Sequence, residues 1–102
     1  MRLGIIGSGS WATALAKIVT DNGNTIQWLV RSEAIRQHLL QRKHNPNYLS
    51  SASFDIQRLQ LHTSIVEMVA ACDCLVVAVP SAYIVDTFKE LDPSALEGKL
   101  LV

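Results

Sequence analysis

Gly7-Ser8-Gly9-Ser10-Trp11-Ala12 follows directly on residues 2–6, Arg-Leu-Gly-Ile-Ile, and this junction decides the fold. The preceding residues read as a short apolar strand. From Ser10 to about Asp21, Trp11, Ala14, Leu15, Ile18 and Val19 recur at offsets of three and four, the period of a helix. A strand that turns through Gly-x-Gly-x-x-Gly/Ala into a helix has a physical use for each small residue. Gly7 permits the tight turn, Gly9 leaves the backbone open to close approach, and Ala12 lets the helix pack closely on the sheet. The first helical turn directs N–H groups without intrahelical acceptors, and the positive end of its dipole, at the space before Gly9. An anion such as the pyrophosphate of a dinucleotide suits that space.

Asn22-Gly23-Asn24 ends the first helix, with Gly23 suited to a left-handed cap. Thr25 to Val30 reads as a second strand. Ser32 can cap a second helix whose buried stripe is Ile35, Leu39 and, at its margin, Leu40. Between Arg42 and Phe54 the regularity lapses: Asn45-Pro46-Asn47 signals a turn and Ser50-Ser51-Ala52-Ser53 is loop-like. A solvated loop is expected there, with a binding role as the alternative. Leu59 to His62 suits a short strand near an edge, and Ser64-Ile65-Val66-Glu67 is a capping box that opens a helix to about Ala71.

Cys74 to Val79 is nearly unbroken in its apolar character, as in a central parallel strand covered on both faces. Pro80 ends it, and Ser81 is placed to cap a helix carrying Ile84, Val85, Phe88 and Leu91. Asp92-Pro93 breaks that helix, and Gly98 to Val102 opens one more strand. The alternation predicts an α/β fold: a Rossmann-type doubly wound parallel sheet of about five strands. The last strand has no following helix to cover it. The expectation is therefore one dinucleotide-binding domain, residues 1–102, truncated at its C-terminal end and forming the front of a longer polypeptide.

Composition narrows the function classes. The 102 residues suffice for one domain, and 49% hydrophobic with 18% charged residues is a globular balance. Nine basic residues offset nine acidic ones, so no broad positive field argues for nucleic acid or an anionic membrane. An anionic ligand must be held by local geometry. No apolar run approaches the roughly 20 residues that span a bilayer, and the N-terminal residues reach glycine too soon for a signal peptide. A cytosolic protein is expected. Cys72 and Cys74 flank Asp73 at strand spacing, which could place two thiols together for a metal or a strained disulfide. Two small apolar residues in a reduced protein is the favoured reading, because no histidine stands at ligand spacing beside them.

The end of the second strand bears on cofactor choice. An NAD-specific site usually carries Asp or Glu there, for the ribose hydroxyls. This chain reads Leu29-Val30-Arg31-Ser32-Glu33. The Arg31 guanidinium can stack on adenine and pair with a 2′-phosphate, and Ser32 could add a hydroxyl. Glu33 is the competing ribose contact, although it belongs with the helix start. NAD(P) is the expected cofactor, with NADP(H) modestly preferred. Ligands of open α/β sheets sit beyond the carboxyl ends of strands, so Ser81, Ala82 and Tyr83, with Pro80 before them, should border the cofactor. Tyr83 either packs beside the nicotinamide or covers the sheet. His38, His44 and His62 are scattered, and no nucleophile elbow or carboxylate pair stands out, so no catalytic or metal-ligating residue is assigned.

Residues 7–16, Gly-Ser-Gly-Ser-Trp-Ala-Thr-Ala-Leu-Ala, closely resemble the opening of the bacterial NAD(P)-dependent glycerol-3-phosphate dehydrogenases, usually Gly-x-Gly-Ser-aromatic-Gly-Thr-Ala-Leu-Ala. Trp28 to Arg31, Asn45 to Leu49 and Val79 to Ser81 resemble further segments of that family, so the likeness spans essentially the whole chain. Ala12 stands where glycine is usual. The resemblance implies interconversion of dihydroxyacetone phosphate and sn-glycerol 3-phosphate for phospholipid synthesis. By position it implies cofactor contacts from Ser10, Trp11, Arg31 and Tyr83, with Val30 contributing through packing or backbone. Together with the motif these give the candidate site: Gly7, Ser8, Gly9, Ser10, Trp11, Ala12, Val30, Arg31, Ser32, Pro80, Ser81 and Tyr83.

In that family a helical C-terminal domain binds the substrate and supplies the catalytic lysine. The resemblance places these beyond Val102, in a full-length enzyme for which a homodimer is one expectation. A second substrate-contacting lysine follows the fifth strand. Lys99 precedes that strand and takes neither role. Two alternatives remain. One is another reductase sharing the N-terminal half, of ketopantoate or hydroxyacid type, and the other is a nucleotide-sensing module without chemistry.

Overall fold

A computed structural model describes residues 2–43 and 54–102. Five strands form one sheet: β1 (Leu3–Ile6), β2 (Ile26–Leu29), β3 (Leu59–His62), β4 (Cys74–Val77) and β5 (Leu100–Leu101). Their order is β3-β2-β1-β4-β5 and every pair is parallel. The chain lays down β2 and β3 on one side of β1, then returns across it to place β4 and β5 on the other. The expected doubly wound Rossmann-type sheet is thus present, with β3 at an edge as its length suggested. β4 is interior, but the middle strand is β1.

Successive strand residues point to opposite faces, and this divides the core in two. Ile5 lies beside Trp28 on one face, under α1 (Ser10–Asp21) and α2 (Glu33–Arg42). Ile6 and Leu29 lie on the other, under Ile65, Met68 and Val69 of α3 (Ile65–Ala70) and under Leu91. Trp28, Ile6, Leu39 and Met68 are all wholly buried, and each such side chain contributes about 1.5–3 kcal/mol. The caps read from the sequence for the first three helices are in place. Ser32 Oγ accepts the Ile35 N–H at 3.3 Å, Ser64 Oγ accepts the Glu67 N–H at 3.5 Å, and Gly23 stands at φ +88° just beyond α1.

The packing face of α1 holds Ala12 as expected but otherwise departs from the large apolar residues of the pattern. Ala12, Thr13, Ala16 and Thr20 are its buried residues, Leu15 and Val19 are only partly covered, and Trp11 and Ile18 are 67% and 59% exposed. Small side chains bring the helix close to the sheet, and large ones are pushed to its flanks. Two threonines can be buried because their hydroxyls are satisfied within the helix. Thr13 Oγ1 and Thr20 Oγ1 donate to the carbonyls of Gly9 and Ala16, each at 2.7 Å.

The segment after β4 also differs. Ser81 does not cap a helix; it opens a single 3-10 turn, Ser81–Tyr83, that has no side-chain cap. α4 (Ile84–Phe88) follows and is short, because the Leu91 N–H closes onto the Phe88 carbonyl at 3.0 Å. Of its expected buried stripe, Leu91 is buried and Phe88 half-buried, while Ile84 and Val85 are exposed. Asp92 then caps a 3-10 turn at Pro93–Leu96. Cys72 precedes β4 rather than sharing its face with Cys74. Both thiols are free and buried, and Cys72 Sγ lies 3.4 Å from Met68 Sδ, with burial pushing its pKa up. The Arg42–Phe54 segment, with His44 and Asn45 to Leu49, falls mostly outside the described residues. No helix among the described residues is long and apolar enough to cross a membrane.

Gly4, an ordinary strand position in the sequence, carries a packing constraint. A Cβ there would collide with Cys72 Sγ and lie 2.9 Å from Met68 Sδ and 3.1 Å from Leu75 Cδ2. Gly4→Ala is therefore expected to destabilise the fold by about 1–3 kcal/mol, with a smaller loss in a Cys72→Ala background that vacates the space. Urea unfolding of the single and double variants measures this; equal midpoints for Gly4→Ala and the unsubstituted chain would refute it.

Candidate functional site

The turn after β1 is wedged between two neighbouring strand ends. Gly7 has φ +122°, and a Cβ on it would stand 2.6 Å from the Ala78 carbonyl oxygen. Both torsion and space therefore require glycine. The Gly7 N–H donates to the Leu29 carbonyl at 3.2 Å, and the Ala78 N–H donates to the Ile6 carbonyl at 2.9 Å. Gly9 is different. Its φ of −77° and ψ of −169° are extended backbone open to any residue, and nothing stands within 4 Å of where its Cβ would be. Gly9 is thus not conformationally obliged. What it provides is unfilled space at the head of α1.

α1 begins directly behind that space. Gly9 is its N-cap, with no side chain bonded to the cap and no acidic residue in the first turn, whereas Ser32 and Ser64 cap α2 and α3. The first N–H to return to the cap is that of Thr13, to the Gly9 carbonyl at 3.0 Å. The backbone N–H groups of Ser10, Trp11 and Ala12 precede it, at the positive end of the helix dipole. Ala12 is wholly buried, so a methyl is accommodated where the pattern often has glycine.

A cleft of about 580 Å³ opens beyond the carboxyl ends of β1, β2 and β4, where the strand order reverses. Of the twelve candidates, Gly7, Ser8, Gly9, Val30, Arg31, Pro80 and Tyr83 line it. Ser10, Trp11, Ala12, Ser32 and Ser81 fall outside its walls. Ser32 is engaged as a helix cap, Ala12 faces the sheet, and Ser10, Trp11 and Ser81 are exposed. Tyr83, 60% exposed, does not cover the sheet. Val30 is buried and held through its N–H by the His62 carbonyl at 2.9 Å, so it offers little beyond backbone.

Arg31 is exposed at the end of β2 and makes no ion pair with the described residues. Glu33, its acidic rival, is turned onto its own helix: Oε1 accepts the Gln37 amide and the Arg36 guanidinium, each at 2.9 Å. These bonds hold its carboxyl below the usual range, the Gln37 bond first.

Four polar wall residues were missed. Thr63 follows β3, and the rule that carboxyl ends of strands face the ligand would have found it. Asp86, Thr87 and Glu90 line the cleft with Tyr83. Their spacing of three and four marks a polar helical face in the sequence, beside the apolar one.

Other candidates lie elsewhere. His62 Nε2 meets Gln27 Oε1 at 2.7 Å on the edge strand, and burial lowers its pKa. The Lys99 ammonium donates to the Cys72 carbonyl at 2.7 Å, at the amino ends of the strands and thus opposite the cleft. No cluster of three His, Cys, Asp or Glu side chains that could hold a metal ion is found among the described residues.

Comparison with known proteins places the fold in a family. Residues 2–102 match the family model described as NAD-dependent glycerol-3-phosphate dehydrogenase N-terminus. A glycerol-3-phosphate dehydrogenase [NAD(P)+] of Chlorobium limicola is 31% identical over 103 aligned residues, covering 100% of this chain and 30% of the relative. Its Bacillus subtilis counterpart is 33% identical over 90, covering 87% of this chain and 26% of the relative. The chain thus spans under a third of these relatives' length. The crystal structure of the Coxiella burnetii glycerol-3-phosphate dehydrogenase superimposes with a TM-score of 0.84 at 19% identity, over 98% of this chain and 30% of that one, and shares the fold. With the family model spanning nearly every residue, the chain belongs to the N-terminal, NAD-binding domain family of the NAD-dependent glycerol-3-phosphate dehydrogenases.

Proposed function

We propose that residues 1–102 hold NAD(H) or NADP(H) for an oxidoreductase that interconverts sn-glycerol 3-phosphate and dihydroxyacetone phosphate. The observation that carries the cofactor reading is the uncapped start of α1 behind Gly9, opening on a cleft at the reversal of strand order. The names of the relatives support the substrate pair. A bound nicotinamide would supply or accept the hydride exchanged with C2 of the substrate.

In this reading Gly7, Ser8 and Gly9 shape the floor beneath the pyrophosphate, and the N–H groups of Ser10, Trp11 and Ala12 face its charge. Val30 and Arg31 border the adenosine, with Arg31 stacking on the base or pairing with a 2′-phosphate. Pro80 and Tyr83 border the nicotinamide side. Substrate binding and acid–base chemistry are assigned to the remaining length of the relatives. The 102-residue chain by itself is expected to bind dinucleotide without oxidising glycerol 3-phosphate, and turnover by the purified chain, free of host enzyme, would overturn that division.

Calorimetric titration tests the cofactor reading. Saturable binding of NADH or NADPH at one site is expected, and its absence would remove the reading. Gly9→Val should abolish binding and leave the fold intact. The side chain enters empty space, at torsions valine adopts freely, but fills the path of the pyrophosphate. Unchanged affinity in the folded variant would take Gly9 out of the site.

Arg31 governs the choice between cofactors. A charge-assisted hydrogen bond to a 2′-phosphate is worth about 1.5–3 kcal/mol, and exposure reduces this. A modest preference for NADPH is expected, with NADH accepted through contacts common to both. Arg31→Asp should reverse the order, by losing the partner and adding repulsion. Dissociation constants for both cofactors, measured at one salt concentration, decide the matter; the same ranking in both proteins would leave Arg31 a surface residue.

A further inference from the structure

The indole N–H of Trp28 donates to the Gly7 carbonyl at 2.6 Å, joining the interior of β2 to the turn at the head of the cleft. Trp28 is wholly buried, and its ring lies against Phe54 with centroids 5.5 Å apart. The indole cannot swing away from Gly7 without disturbing the core. Gly7 needs such an outside hold. Glycine ranges widely in torsion, and at φ +122° it has no side chain to limit it. The peptide joining Gly7 to Ser8 is planar, so fixing its carbonyl fixes the whole plane and the course of the chain into Gly9 and α1. The indole is a donor with no acceptor capacity. Rotating that plane would strand a buried N–H, which folding disfavours.

We propose that Trp28 is a positioning residue for the dinucleotide pyrophosphate. It touches no cofactor. From behind the turn, its N–H holds the Gly7–Ser8 peptide in the orientation that presents Gly9 and the first turn of α1 to the diphosphate. β2 thereby grips the turn twice, through the Leu29 carbonyl on the Gly7 N–H at 3.2 Å and through the Trp28 indole on the Gly7 carbonyl. This inference rests on the cofactor reading above.

The test replaces Trp28 by β-(3-benzothienyl)alanine, whose ring sulfur stands in place of the N–H at nearly unchanged volume. Trp28→Phe is the second variant. NADH affinity is measured by calorimetry, and affinity for adenosine, which has no phosphate, by NMR titration. In the unsubstituted chain the Trp28 indole proton should exchange slowly and that of exposed Trp11 fast. The benzothienyl variant should melt close to the unsubstituted chain and bind NADH about three- to tenfold more weakly, with adenosine affinity unchanged.

Undiminished NADH binding by the benzothienyl variant, beside a loss in Trp28→Phe, would reduce Trp28 to packing and overturn the proposal. An equal loss for adenosine and NADH, or rapid exchange of the Trp28 indole proton, would do the same. Failure of the unsubstituted chain to bind NADH would instead bring down the cofactor reading, and this inference with it.

Discussion

The Ala78 carbonyl oxygen stands 2.6 Å from where a Gly7 side chain would begin, and the cleft depends on that approach. β1 is hydrogen-bonded on both sides, so the chain leaving it must pass between the ends of β2 and β4. It passes only because Gly7 presents no atom to Ala78 and tolerates φ +122°. The approach sets Pro80 and Tyr83 on one wall and Val30 and Arg31 on another, with α1 starting between them. Any larger residue at position 7 would separate β1 from the exit of β4 and draw these walls apart. Fold and site thus meet in one steric requirement.

The close packing of α1 follows from the same compression. A helix that starts one turn after the sheet ends lies low over it, and only Ala12, Thr13, Ala16 and Thr20 fit beneath. Alanine fits by size, and threonine fits because its hydroxyl turns back to a carbonyl of its own helix. Trp11 and Ile18 are left exposed. The side chains that hold α1 down are therefore small, and none of them draws on the N–H groups at its start.

Much of this was legible in the residues. Strand and helix alternation, the glycine turn, the serine caps and the edge position of β3 all rest on local chemistry, which a sequence displays directly. Ala12 marked the sheet side of α1 in the sequence, but the rest of the buried face was not legible, because the large apolar residues suggest a face turned away from the small ones that pack. The face is settled by how near the sheet lies. The same limit hid the constraint at Gly4, which arises from Cys72 and Met68, residues brought near only by the return of the chain across β1. At the cleft, Gly7, Ser8 and Gly9 of the turn form part of the wall, whereas Ser10, Trp11 and Ala12 of the same motif do not. Asp86, Thr87 and Glu90 were not legible as wall residues, because the apolar spacing after Pro80 suggests a longer helix with Ile84 and Val85 inward, whereas the short α4 leaves those exposed and presents the polar side to the cleft.

The bare start of α1 has a thermodynamic corollary. A side-chain cap stabilises a helix by about 0.5–2 kcal/mol, and α1 forgoes it while α2 and α3 do not. An anion lodged against those amides satisfies them in its place, and does so only in the folded chain. Occupancy and conformational stability are then two readings of one equilibrium, linked by mass action. With the dinucleotide bound as proposed, the domain would be least stable when empty, and its melting temperature would measure how much ligand surrounds it.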